Sequence, residues 1–237
     1  GFKLPMDVID SCMKGSNGME LHKFFTQHLL GKESLMRLTA SQFSKMSAHV
    51  DGWVPPDQST EEWAQMPMFE TLSKAMFAVT MDVFIAPEMG TTVMWELFNE
   101  FDQKFPLLAG GMPDMVVKDS LAALEKLSQG VAACSSYSEN GGNSDLMRAR
   151  WEFFRRMEGE GAMNLTTHSR AQVIMIWAMV ANTMPAAFWT LFYLLENESV
   201  LESVMVELRD AAQALGNASS SSRPSRIQAE EAAALDT

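Results

Sequence analysis

Residues 171–195 read AQVIMIWAMVANTMPAAFWTLFYLL, and this stretch decides how the chain folds. Arg170 and Glu196 bound it, and no charged residue interrupts it. A helix that is apolar all round has to be buried, in lipid or in the core of a sizeable domain. Its centre is Asn182-Thr183-Met184-Pro185. Pro185 has no N–H, so the carbonyl four residues back, on Ala181, loses its helical donor, and the ring pushes that carbonyl aside and kinks the helix. Asn182 and Thr183 stand beside the opened turn. The expectation is a small polar notch in an apolar helix. Such a notch can hold water, a ligand oxygen or a neighbouring helix. Equally, its amide and hydroxyl can do no more than satisfy the freed backbone.

Working outward, 237 residues with 47% hydrophobic content suffice for one core. The formal charge of -12 argues against nucleic acid as a partner, because phosphate binding needs a basic surface. Arg148, Arg150, Arg155 and Arg156 form the one basic cluster and read as a solvated helix face. Two cysteines, Cys12 and Cys134, cannot make a disulfide framework, and the four histidines show no metal-ligand spacing. The sequons at Asn164, Asn197 and Asn217 are short enough to arise by chance. Twenty methionines point to a soft, adaptable helical core. Gly1 at the start and AEEAAALDT at the close suggest a fragment.

Along the chain, 1–18 read as a loop and 19–50 as helical. Trp53-Val54-Pro55-Pro56 breaks the pattern. Helices are expected over 59–86 and about 90–105, from near Asp119 or Ser120 through Val131, and over about 145–158. Residues 135–144 read as a Ser/Asn/Gly loop. Ser169 with Gln172, and Ser199 with Glu202, have capping-box spacing, so the apolar helix is expected to start at Ser169 and its successor near Ser199, stopping at Gly216. Residues 217–226 read as a flexible loop. No strand run, internal repeat, GxGxxG or P-loop is present. The expected fold class is all-α.

The segment from Trp177 to Leu208, WAMVANTMPAAFWTLFYLLENESVLESVMVEL, resembles the long central helix and following helix of the cytochromes P450. It is closest to the branch of sterol 7α- and 12α-hydroxylases and prostacyclin synthase, whose members carry a similar W-A-x-x-x-N-T-x-P-A-x-F-W run followed by N-P-E-A. Phe101 to Pro113, FDQKFPLLAGGMP, resembles that branch's segment between its substrate-access helices. Leu235-Asp236-Thr237 resembles the approach to the E-x-x-R helix. The likeness is strongest over 171–208, fair near 95–127 and weak in the N-terminal third. In most P450s an oxygen-activating Thr stands where this chain has Asn182, with an acid where it has Ala181. The branch itself uses Asn. Asn197 is followed by Glu198, where the family usually has Pro.

The resemblance implies one partial P450 domain over 1–237. Its expected parts are N-terminal loop and helices (1–58), mid helices with the substrate-access region (59–134), a helix pair (145–216) with the central helix at 169–195, and a flexible loop (217–237). It implies a haem cofactor, a hydrophobic sterol or oxidised-lipid substrate, a reductase partner if the protein is a monooxygenase, and the cytosolic face of the endoplasmic reticulum membrane. By the same resemblance Ala178 and Met179 lie nearest the distal haem face, Trp177 and Ala178 line the substrate side, and Asn182 with Thr183 as helper are catalytic. Neither cysteine sits in an F-x-x-G-x-x-x-C-x-G setting, so no haem-thiolate ligand is expected here, and the 237 residues alone are expected to be inactive. Two other classes fit the residues: an integral membrane protein with 171–195 as a span, and a non-catalytic helical scaffold. Detergent-free solubility separates the first from a P450, and a downstream cysteine loop separates the second.

Overall fold

The computed structural model describes residues 14–53, 66–161 and 164–221, apart from the side chains of 165 and 214–221. Cys12, the Pro55-Pro56 break, the start of the helix expected from 59 and the closing 222–237 lie outside it, and of the Asn217 sequon only the helical backbone is described. Every regular element among the described residues is helical. The order is α1 (Gly15–His28), α2 (Lys32–Asp51), α3 (Met68–Phe84), a 3-10 turn (Pro87–Met89), α4 (Thr92–Gln103), α5 (Phe105–Ala109), α6 (Lys118–Ala133), α7 (Ser135–Asn140), α8 (Asp145–Gly159), α9 (Leu165–Val180), α10 (Thr183–Glu196) and α11 (Glu198–Ser221). The all-α expectation holds.

The chain forms two compact units, Gly1–Ala186 and Ala187–Thr237. In the first, α6 packs against both α4 and α9, and α9 also meets α3 and α8. The main core gathers Phe77, Met81, Phe98, Phe101, Leu124, Val131, Tyr137, Leu146, Ile176 and Val180, all buried. Each fully buried aromatic or aliphatic side chain of this kind contributes about 1.5–3 kcal/mol by leaving water. A smaller cluster of Leu21, Phe153, Phe154, Met157 and Ala171 joins α1, α8 and α9. The second unit holds the rest of α10 and α11, joined at Asn197. The Asn197 carbonyl accepts from the N–H groups of Val200 and Leu201, and its amide donates to the Tyr193 carbonyl at 2.7 Å.

Local chemistry sets the helix ends. Thr91 caps α4 by accepting from Met94 N–H, and Ser144 caps α8 by accepting from Met147 N–H at 3.2 Å. The apolar helix starts at Leu165, four residues before the expected Ser169. Asn164 caps it instead, its Oδ1 accepting from Thr167 N–H at 2.9 Å. Ser169 and Gln172 are internal and fully buried, so their spacing marks an inward face and no cap. Likewise α11 starts at Glu198 and runs past Gly216 to Ser221. The expected loop at 135–144 contains α7. It ends at Gly141, where φ is 77° and an added Cβ would stand 2.7 Å from the Trp151 Cβ. The next residues then close the end of α3: Asn143 and Ser144 N–H groups reach the carbonyls of Ile85 and Phe84, and the Asn143 amide reaches that of Asp82 at 2.7 Å. Arg150 corrects the reading of the basic cluster, because it is 4% exposed and points into the core.

Candidate functional site

Taken together, α9 and α10 form an apolar helix of 31 residues, Thr166–Glu196, interrupted at Ala181–Asn182. The interruption falls where Pro185 withdraws its N–H. The backbone steps across it: Ala181 N–H donates to the Trp177 carbonyl at 2.9 Å, and Ala186 N–H to the Asn182 carbonyl at 3.2 Å. The Thr183 hydroxyl donates back to the Met179 carbonyl at 2.6 Å, a side-chain bond of the kind that bends helices. Val180 and Met184 anchor the two sides in the core.

Asn182 and Ala178, four residues apart on one face, are exposed, with Thr183 exposed beside them and Met179 half-buried. Trp177 is half-buried and fixed. Its indole N–H donates to Asp102 Oδ1 at 2.7 Å, and its ring stacks on Phe105 with centroids 3.6 Å apart and planes at 28°. The structure thus brings all five sequence-derived site residues to one break, in two environments: a packed Trp177 and an open face of Ala178, Asn182 and Thr183. Thr183 also borders an apolar groove of about 320 Å³ with Phe43, Met46, Met76 and Val79. Asp102 and Phe105 lie 75 and 72 positions from Trp177 in sequence, and no spacing rule links them to it.

A second polar constellation is wholly internal. The Tyr137 phenol and His168 Nε2 are 2.6 Å apart, and Arg150 Nε donates to Gln172 Oε1 at 2.9 Å. The Arg150 guanidinium lies over the rings of Phe25 and Phe154. Burial pushes the Tyr137 phenol well above its ordinary value, and Gln172 and Arg150 pull weakly against that. Burial lowers Arg150 to about 10, where it stays charged at neutral pH. Burial first, then the charges of Arg150 and Arg155, lowers His168 to about 3, so the imidazole is neutral. With no exposed edge, this cluster ties α7, α8 and α9 together. Among the described residues no three His, Cys, Asp or Glu side chains stand close enough to hold a metal ion, and Cys134 is buried at the end of α6.

A helical chain whose apolar helix breaks at N-T-x-P beside an open amide is what the resemblance to P450s leads one to expect, and its relatives are of that class. The chain is similar to cytochromes P450, sterol 7α-hydroxylases and a prostacyclin synthase among them. It is 24% identical to rat cytochrome P450 7A1 over 215 residues, 87% of this chain and 42% of that one. To cholesterol 7-alpha-monooxygenase of Cricetulus griseus it is 31% identical over 124 residues, 52% of this chain and 24% of that one. To rat prostacyclin synthase it is 26% identical over 116 residues, 49% and 22% of the two chains. The chain spans less than half the length of the curated relatives it matches. No family model matches it.

Proposed function

We propose that the protein is a haem-dependent oxidoreductase of the P450 class, a monooxygenase or isomerase of sterol or other lipid substrates, and that the broken helix supplies its distal wall. The observation behind this reading is the exposed Asn182 amide, held at a proline-made break in an uncharged helix beside the small exposed Ala178. A flat macrocycle needs a wall of small side chains, and Ala178 with the half-buried Met179 fits that need. The described residues do not fit the other requirement, an axial thiolate, since Cys134 sits in the main core.

When bound, haem supplies the oxidative chemistry, and the protein supplies orientation and water control. Asn182 offers a donor and an acceptor and orients a substrate hydroxyl or peroxide oxygen. Thr183 spends its proton on the Met179 carbonyl, so it holds the turn and presents only lone pairs outward. Trp177 spends its N–H on Asp102 and presents ring surface. With Ala181 in place of an acid, the helix itself brings no carboxylate to deliver protons. That suits an isomerase, or a hydroxylase fed through water, with a reductase partner in the second case. The cytosolic face of the endoplasmic reticulum membrane is the location that goes with this reading. A membrane span is not favoured: α9 buries His168, Ser169 and Gln172 against neighbouring helices.

The test is Asn182→Leu in the haem-loaded enzyme. Turnover per haem falls at least tenfold or the product changes, while the melting temperature stays within a few degrees of wild type. Unchanged turnover per haem with a lowered melting temperature makes Asn182 a bracing residue and ends the assignment. As a control, the 237-residue chain alone, reduced under carbon monoxide, lacks the red-shifted Soret band of a thiolate-bound haem.

A further inference from the structure

Buried serines usually give their hydroxyl to a nearby carbonyl, and two here do so. Ser128 donates to the Leu124 carbonyl at 2.7 Å and Ser120 to that of Phe101 at 3.0 Å. Ser73, in α3, does not. It is 2% exposed, and its Oγ has no hydrogen-bond partner in the protein, not even the carbonyl of Phe69 one turn earlier. Such a group is costly to bury unless something else satisfies it.

Ser73 lines a cleft of about 40 Å³ together with Phe98, Asn99, Asp102, Ala181 and Pro185. Ala181 is the residue whose carbonyl loses its helical donor to Pro185. An orphaned hydroxyl and the residue with the freed carbonyl therefore share one small space, with a carboxylate and an amide on the same wall. A water molecule needs about 10–15 Å³ of such space and two to four polar partners; the cleft has the room, and Ser73, Asn99, Asp102 and Ala181 on its lining carry polar groups.

We propose that this cleft is a binding site for ordered water, one or two molecules. The water accepts from the Ser73 hydroxyl and donates to the Ala181 carbonyl and the Asp102 carboxylate, and so pins the helix break to α3 and α4 from the core side. The site is separate from the open face of Asn182 and needs no haem, so it stands or falls apart from the proposed function.

The experiment compares melting temperatures of Ser73→Ala, Pro185→Ala and the double variant, with a crystal structure at a resolution that shows ordered solvent. A bridged hydroxyl predicts that Ser73→Ala lowers the melting temperature by roughly 2–4 °C. It predicts a smaller loss in the Pro185→Ala background, where the Ala181 carbonyl regains a helical donor. It also predicts solvent density within hydrogen-bond distance of Ser73 Oγ. An unchanged or raised melting temperature for Ser73→Ala indicates a hydroxyl stranded in a dry cleft and overturns the proposal. Equal losses in the two backgrounds, or an empty cleft in the crystal, also overturn it.

Discussion

The His168 ring meets the Tyr137 phenol at 2.6 Å and no solvent at all. With the phenol donating to Nε2, the ring proton sits on Nδ1, which has no partner in the protein. Protonating this ring places a second charge in a desolvated cluster that already contains the Arg150 guanidinium. Its folded pKa, about 3, lies below the ordinary 6.5. Below pH 6.5 the unfolded chain therefore binds the proton that the folded one refuses, and this contribution to stability is full above pH 6.5 and lost as the pH falls toward 3. The expected slope from this one group is up to about 1.4 kcal/mol per pH unit across that window. Urea unfolding at pH 7.5, 6 and 5 checks it. In His168→Phe the decline between pH 6 and 5 becomes shallower, even though the variant is less stable at pH 7.5 for want of a partner to Tyr137. An unaltered slope assigns the acid sensitivity to carboxylates instead. None of this cluster was legible in the sequence. A lone histidine in a helix carries no spacing signal, and Arg150 read as solvated because its neighbours Arg148, Arg155 and Arg156 are.

At the scale of elements, the break between α9 and α10 is the feature that sequence chemistry foresaw with least help, since one missing N–H at Pro185 locates it. Helix existence was legible wherever apolar residues recur at three and four, as in α3, α4, α6 and α8. Helix starts were less so. Ser169 and Gln172 have the spacing of a cap, but the same spacing puts two polar side chains on one helix face, and here that face is buried. Asn164 caps from outside the apolar run. α7 has no periodic signal in the sequence because its six residues bear only one apolar anchor, Tyr137. The break itself has a testable energy. Pro185→Ala restores an N–H and removes the ring clash, an exchange worth up to about 3 kcal/mol inside a helix. The expected result is a higher melting temperature and more helical circular dichroism, by less than that ceiling because Thr183 and the surrounding core already hold the bend. If the protein is the haem enzyme proposed above, the same variant loses turnover where the opened turn is what exposes Asn182. A lower melting temperature shows that the core is built around the kink and is strained by a straight helix.

At the scale of the whole molecule, charge and exposed apolar surface act against each other. The formal charge of -12 keeps copies apart at neutral pH. Yet large apolar side chains face outward: Phe43 on α2, and within the second unit Trp189, Tyr193, Leu195 and Leu208. Trp189 and Tyr193 lie one turn apart on α10 and stack, with centroids 5.9 Å apart. Contiguous apolar surface of this kind drives association once repulsion is removed. Two independent means remove it: titration toward the sequence pI of about 4.8, and salt, which shortens the screening length to about 8 Å at 0.15 M. The 237-residue chain is therefore expected to be least associated at pH 7.5 and low salt, and to form larger species as salt rises or as the pH approaches 4.8. Light scattering across both titrations checks this, with circular dichroism recorded alongside to separate association from unfolding. The pair Trp189→Ser and Tyr193→Ser identifies the surface responsible. It lowers association at fixed pH and salt if the α10 face drives it. Equal association of the doubly substituted and wild-type chains excludes that face and leaves Phe43 and its groove as the next surface to change.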